Sequence, residues 1–238
     1  MYKFFFLISF FTIITIHSQK EITSKKKSND IVLDGNLLEP DWLKANWTSG
    51  FTQMKPFPGK KPSKKTQVAM LHDQEAIYFG VKCFDNPDSL SRVLSLRDDY
   101  NPNLDFFGIF IDTYNDKQNG FYFGISSRGV QSDAKIFSEE FNDLLNLVWR
   151  SKTKINDQGW FAEIKIPYSA LRFPKEEIQS WNINFARQIS RFREENTWSP
   201  VNPDLENFLL ESGVVLGIKD ITPPIRLAFI PFLSSYTS

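Results

Sequence analysis

Cysteine and histidine are scarce in this 238-residue chain, which contains one cysteine and two histidines. An internal disulfide needs two cysteines, and zinc or haem sites need several Cys, His or Met ligands, so Cys83 is expected to be a buried apolar side chain. His17 falls in an apolar leader, so only His72 remains for a catalytic triad. It lies in a predicted turn, without a Gly-x-Ser-x-Gly motif. With no glycine-rich phosphate loop either, the sequence predicts a protein that is not an enzyme.

An excess of charge of one sign is also missing, because 28 Lys and Arg residues balance 28 Asp and Glu residues. Nucleic acid is therefore not an expected partner, since its binding requires a basic surface. The first apolar run, residues 4–16, is too short to span a bilayer comfortably and follows Lys3. This pattern predicts a signal peptide over residues 1–19, and hence export to the periplasm, the outer membrane or the outside of the cell. The alternative is an uncleaved membrane anchor.

What the chain does contain is phenylalanine, with 23 residues, and proline, with 13. Short apolar or alternating runs are bounded by turn residues, and helical stripes are few. Strands are predicted at 66–71, 76–84, 106–112, 121–126, 148–155, 160–166 and 181–189. Because the strands follow one another as meanders without βαβ alternation, the predicted fold is an all-β antiparallel β-sandwich with short edge helices.

Four segments are expected along the chain. After the signal peptide, residues 20–30 are predicted to be a flexible polar lead-in, and residues 31–221 to form the sandwich. Residues 222–238 read as a linker followed by an apolar strand at 225–232. A single strand of this kind cannot span a membrane, because its edges would be unpaired in lipid. The chain is therefore expected to be a truncated form or a soluble module.

Several short motifs resemble those of family 9 carbohydrate-binding modules, and the later ones resemble the subgroup whose module precedes an outer-membrane β-barrel. No single motif is specific, but their order extends over residues 31–221. They are VLDG at 32–35, DW at 41–42, LRDD at 96–99, DFFGIFIDTY at 105–114, GVQSD at 129–133, GWFAEIKIP at 159–167, LRF at 171–173 and WNINFAR at 181–187. The resemblance implies a β-sandwich that binds polysaccharide or oligosaccharide, a structural calcium ion, and a link to polysaccharide catabolism.

Candidate sugar contacts follow from side-chain chemistry, because aromatic faces stack on sugar rings and planar polar groups bind hydroxyls. Trp149 and Trp198 are the first aromatic candidates, since Trp198 lies in a predicted loop where an exposed ring is hard to explain by packing. Arg97 and Arg187 are the candidate polar partners. For each of these residues the alternative is a structural role, in packing or in an ion pair. Core positions are expected for Trp42, Trp160 and Trp181.

Calcium requires six to eight oxygen ligands, which carboxylates and carbonyls supply. Asp98, Asp99 and Asp105 lie in one predicted loop and form the candidate metal site, although no EF-hand spacing is present. Two further functions stay open at this point. One is a periplasmic or plug-like domain of an outer-membrane barrel protein, and the other is a glycosidase, which would need two convergent carboxylates.

Overall fold

Two β-sheets form the molecule in the computed structural model, which describes residues 19–138, 140–144, 146–204 and 208–224. The predicted signal peptide, apart from Gln19, and the predicted strand at 225–232 lie outside these residues. These described ranges contain one α-helix, α1 (Pro40–Leu43), and three single 3₁₀ turns. The strands are β1 Glu21–Thr23, β2 Lys25–Lys26, β3 Thr52–Lys55, β4 Thr66–His72, β5 Ala76–Phe84, β6 Phe106–Asp112, β7 Asn119–Ser126, β8 Gln131–Phe137, β9 Glu140–Asn142, β10 Arg150–Asn156, β11 Gly159–Pro167, β12 Trp181–Ile189, β13 Glu194–Thr197 and β14 Gly213–Leu216.

The larger sheet has nine strands and the smaller has five. Along the larger sheet the order is β1-β14-β12-β6-β7-β8-β9, and β13 joins β12 to β3. The smaller sheet has the order β10-β11-β5-β4-β2. Almost all pairings are antiparallel, as in meanders and Greek keys. The predicted all-β antiparallel sandwich with short helical elements is therefore confirmed.

The core lies between the two sheets, where alternate residues of each strand meet. Trp160, Ile164 and Ile166 point inward from β11, and Phe107, Ile109 and Ile111 do so from β6. The predicted core positions of the three tryptophans are confirmed, since Trp42, Trp160 and Trp181 are each at most 1% exposed. Burial of this apolar surface supplies most of the free energy that stabilises the sandwich.

The segment expected to be a flexible lead-in is ordered instead. Its residues form β1, which pairs in parallel with β14, and β2, which pairs in parallel with β4. Ile22 is buried between the sheets and holds this segment in place. The polar composition of the segment gave no indication of this contact. A further apolar layer, which includes Leu37 and Trp42, then covers the outer face of the smaller sheet. No helix within the described ranges is long and apolar enough to cross a membrane.

Candidate functional site

Two of the predicted sugar-binding residues, Arg97 and Trp149, line the same pocket. The pocket, of about 880 Å³, lies where the loop before β6 meets the edges of β8 and β10. We call it the basic pocket. It is lined by Ile31, Leu33, Ser95, Leu96, Arg97, Gly129, Val130, Gln131, Trp149, Arg150, Ser151 and Lys165.

Asp133, which lies on β8 and is 1% exposed, holds several residues of this pocket in position. Its carboxylate accepts hydrogen bonds from the Trp149 indole N–H at 2.9 Å and from the Leu147 backbone N–H at 2.6 Å, and it pairs with the Arg97 guanidinium. Arg97 also donates to the Gln131 side-chain oxygen at 2.8 Å. Because these partners hold Arg97 in one orientation, its guanidinium is a pre-positioned donor. The Trp149 ring is only 6% exposed, so it contributes an edge of the pocket rather than an open stacking face.

A second depression, of about 340 Å³, is lined by four of the described residues, all of them aromatic: Tyr100, Phe110, Tyr122 and Phe141. We call it the aromatic cleft. Phe110 and Tyr122 lie on the outer face of the larger sheet, with ring centroids 5.0 Å apart. Tyr100 is 48% exposed and Phe141 is 43% exposed. Their ring centroids lie 6.0 Å and 5.8 Å from that of Tyr122, so two half-exposed rings flank a buried aromatic floor.

The floor depends on two glycines that lie opposite each other on β6 and β7. Gly108 pairs with Gly124, and the Tyr122 side chain occupies the space above them. A Cβ atom at Gly108 would lie 2.8 Å from Tyr122 Cε2, and one at Gly124 would lie 2.5 Å from the Tyr122 hydroxyl. Close approach of the ring to the sheet therefore requires both glycines. Burial, followed by the charges of nearby aspartates, raises the pKa of Tyr100 to about 12, which keeps its hydroxyl protonated as a hydrogen-bond donor.

Trp198 does not lie in an exposed loop, and that prediction was wrong. It follows β13 directly and is 1% exposed. Its indole N–H donates to Thr48 Oγ1 at 2.9 Å, and its ring centroid lies 5.4 Å from that of Phe185. A ring buried in this way offers no face to a sugar, so Trp198 is a packing residue.

Arg187 is likewise buried, with a 2% exposed fraction. From β12 it crosses between the sheets and donates to the Lys65 carbonyl at 2.8 Å and to the Phe84 carbonyl at 3.0 Å. It also lies 3.5 Å from the Asp85 carboxylate. All of these acceptors belong to the chain itself, so Arg187 joins the ends of β4 and β5 to the larger sheet and is not a sugar contact.

The predicted metal ligands Asp98, Asp99 and Asp105 do not come together. Asp105 is 2% exposed, and its oxygens accept hydrogen bonds from the Ser190 backbone N–H and hydroxyl and from the Ser91 backbone N–H. Asp98 accepts instead from the backbone N–H of Asp133 at 2.9 Å. The carboxylates of Asp98 and Asp105 therefore bind the backbone of neighbouring segments.

Another trio of carboxylates does converge: Asp34, Glu39 and Glu163 place one oxygen each within 4.8 Å of one another. Glu39 Oε2 is buried without a hydrogen-bond partner among the described residues. Glu163 accepts from the backbone N–H groups of Asp34 and Gly35 and from the Trp42 indole N–H, at 2.7–2.8 Å. Three carboxylates with an unused buried oxygen form a donor set of the kind that calcium takes. The residues present therefore fit the ion that the resemblance implies.

Burial, together with the nearby charge of Glu39, raises the pKa of Glu163 to about 6 from its usual value of 4.5, against the lowering effect of its three N–H donors. The folded protein therefore retains a proton that the unfolded chain releases between about pH 4.5 and pH 6. The stability associated with this proton is fully present below pH 4.5 and is lost as the pH rises through 6. A bound cation would stabilise the charged carboxylate and remove this dependence.

Sequence reasoning missed most of the residues at these sites. Tyr100, Tyr122 and Phe141 are separated along the chain and meet only through the pairing of β6 with β7 and the return of β9. Alternation along β10 and β11 could have placed Arg150 and Lys165 on one outer face, because Asn156-Asp157-Gln158-Gly159 is a recognisable hairpin turn. No pattern of this kind indicated a functional role for Glu163, which is a single acidic residue within the largely apolar strand β11.

Comparisons with known proteins bear on the fold. No family model and no curated protein matches the sequence. Two solved structures of a family 9 carbohydrate-binding module from Caldicellulosiruptor kristjanssonii, one with cellotriose and one with glucose, are similar with a TM-score of 0.61 each. They are 14% and 15% identical, and the alignments cover 90% and 86% of this chain and 100% of theirs. A protein from Bacteroides uniformis, named as a candidate carbohydrate-binding protein, has a TM-score of 0.65 at 14% identity, over 84% of this chain and 99% of its own. The chain therefore has the fold of the family 9 carbohydrate-binding modules.

Proposed function

We propose that the protein is a non-catalytic carbohydrate-binding module whose saccharide contacts the aromatic cleft. The observation that carries the proposal is the pair of half-exposed rings, Tyr100 and Phe141, on either side of a buried aromatic floor. Large apolar side chains that remain exposed around a concave site are typical of binding surfaces. An aromatic face provides the apolar contact that the C–H face of a sugar ring requires.

Support for binding rather than hydrolysis comes from the same surfaces. Glycoside hydrolysis needs two carboxyl groups on either side of the scissile bond. Among the described residues, no carboxylate lines either the aromatic cleft or the basic pocket. The solved structures with this fold that hold cellotriose and glucose are named as binding modules, which is consistent with the same class of function here.

The test is saccharide binding by variants of the cleft. Tyr100→Ala and Phe141→Ala are expected to weaken binding by about 5- to 150-fold, a range taken from the stacking of bases on aromatic side chains. Titration calorimetry with cellotriose, and then with a wider panel of oligosaccharides, measures the effect. Thermal melting of the same samples should be almost unchanged, because both rings are half exposed.

Phe57→Ala is the matched control, because Phe57 is 53% exposed and lies outside the cleft. It should bind as the unchanged protein does. Equal binding by all three variants would place the saccharide elsewhere, and absence of binding to any saccharide would overturn the function itself.

Calcium is part of the proposal, at Asp34, Glu39 and Glu163 rather than at the loop aspartates. Added calcium should raise the melting temperature at pH 7, and at ten times its dissociation constant it would contribute about 1.4 kcal/mol. The gain should shrink toward pH 4.5, because protons compete for Glu163. Glu39→Gln should abolish the response, whereas Glu75→Gln, a change at an 82% exposed side chain, should not. An equal response in both variants would contradict this site.

Export and biological context belong to the proposal too. The signal peptide predicted at residues 1–19 supports secretion, and carbohydrate binding would then link the protein to polysaccharide catabolism outside the cytoplasm. Attachment to an outer-membrane barrel rests on the motif order and on residues 225–232, which lie outside the described residues.

A further inference from the structure

We propose that the basic pocket binds an anionic group on the saccharide, such as a uronate carboxylate or a sulfate ester. This inference rests on the proposed function and adds the substrate class. Within the part of the chain that the structure describes, the residues that line the pocket include three cations, Arg97, Arg150 and Lys165, and no carboxylate. The chain as a whole has equal numbers of acidic and basic residues, so this local excess is not a consequence of composition.

The positions of two of these cations are unfavourable in the free protein. Arg150 on β10 lies directly opposite Lys165 on β11, on the outer face of the smaller sheet. Like charges that face each other across an antiparallel pair are destabilising. The neighbouring pair on the same face shows the ordinary arrangement, because Lys152 lies opposite Glu163. An anion bound between Arg150 and Lys165 would turn the repulsion into attraction.

The carboxylates near the pocket do not neutralise these two side chains. Asp133 and Asp98 both pair with Arg97. Among the described carboxylates Lys165 pairs with Glu75, at 3.8 Å, and the Glu75 side chain is 82% exposed, so water and salt screen this contact strongly. The Lys165 Nζ also lies 5.4 Å from the centroid of the Tyr78 ring, a contact that leaves its charge in place. Arg150 is exposed and forms no ion pair with a carboxylate of the described residues. Both cations line the pocket, and no buried carboxylate of the described residues neutralises either of them.

The form of the pocket suits a charged sugar rather than a free ion. Arginine presents a planar fork that matches a carboxylate or sulfate, and lysine adds a point charge. Gln131, Ser95 and Ser151 supply hydroxyl and amide groups, and apolar side chains such as Leu33 complete the wall. The loop before β6 carries Arg97 to this pocket and Tyr100 to the aromatic cleft, so one loop serves both surfaces.

The decisive experiment compares trigalacturonic acid with its methyl ester, which has the same sugar rings without the charge. The acid is expected to bind at least about tenfold more tightly at low ionic strength, and added salt should reduce this difference. Arg150→Gln and Lys165→Gln should each remove most of the preference. Lys152→Gln, which makes the same change of charge on the same strand face but outside the pocket, should keep it.

Each outcome separates this inference from the proposed function. Equal affinity for acid and ester, or an equal loss in Lys152→Gln, would overturn the anionic site while leaving saccharide binding intact. A sulfated trisaccharide that binds in the same Arg150-dependent manner identifies a sulfate ester as the source, and binding of the acid identifies a uronate. Sodium acetate or sulfate that binds as tightly as either saccharide would show an adventitious ion only. Failure of every saccharide, charged or neutral, would overturn both proposals.

Discussion

Replacing Trp198 with alanine is expected to lower the free energy of unfolding by about 3–5 kcal/mol, the range found when buried aromatic side chains are truncated. The ring is 1% exposed and packs against Phe185. Gly213 also approaches it closely, since a Cβ atom there would lie 2.5 Å from Trp198 Cζ3. The change therefore leaves a cavity beside β14 and removes the hydrogen bond to Thr48. Urea unfolding, followed by circular dichroism, measures the loss.

Two further variants keep the Trp198 experiment interpretable. Trp198→Phe retains an aromatic ring and should lower the free energy of unfolding by less. It therefore allows the effect of a change at position 198 to be measured even if the alanine variant does not fold. Phe57→Ala removes an exposed ring and should stay within about 0.5 kcal/mol of the unchanged protein. Saccharide affinity per folded molecule should be the same in all three. A stable Trp198→Ala variant that has lost saccharide binding would contradict the structure at this position and restore Trp198 as a sugar contact.

The sequence was sufficient to predict the limits of those strands whose alternate side chains enter the core. The segments 76–84, 106–112 and 181–189 have the predicted limits, because their apolar positions repeat with the period of a strand and turn residues bound them. It was not sufficient for β8, where Ser132 and Asp133 are polar and yet buried. Asp133 is buried because its carboxylate holds Arg97 and the Leu147 backbone of neighbouring loops, and that role becomes visible only after the loops have been placed.

The candidate site was predictable only in part, for a related reason. Arg97 and Trp149 were proposed from their chemistry, and they do meet at one pocket. The same reasoning selected Trp198 and Arg187, which are equally suited to packing and to internal hydrogen bonds. Burial distinguishes a sugar contact from a packing residue, and burial depends on partners far along the chain, such as Thr48 for Trp198. Residue type alone therefore identifies candidates but not their roles.

Replacing Arg187 with methionine should destabilise the protein by about 3–5 kcal/mol, although methionine keeps most of the apolar volume. The Arg187 side chain is 1% exposed and the Asp85 side chain is 0% exposed. Asp85 would keep Arg191 and Lys64 as partners, so the cost comes from the buried acceptors of Arg187, which are expensive to leave without a donor. The Lys65 and Phe84 carbonyls would each lose a charged donor. Urea unfolding midpoints, converted with a common slope, give the difference.

Arg191→Met is the matched control, because Arg191 binds the same carboxylate from the surface. It donates to Asp85 at 2.6 Å and 2.9 Å, but its side chain is 25% exposed. A partly exposed pair contributes about 0–1 kcal/mol, and Arg187 and Lys64 would still compensate Asp85 after the change. Arg187 lies farther from Asp85 than Arg191 does, at 3.5 Å against 2.6 Å, but it should contribute more to the free energy of unfolding because it is buried between the sheets. Equal losses in the two variants would show that the charge of Asp85 dominates, and would contradict the role of Arg187 as the link between the sheets.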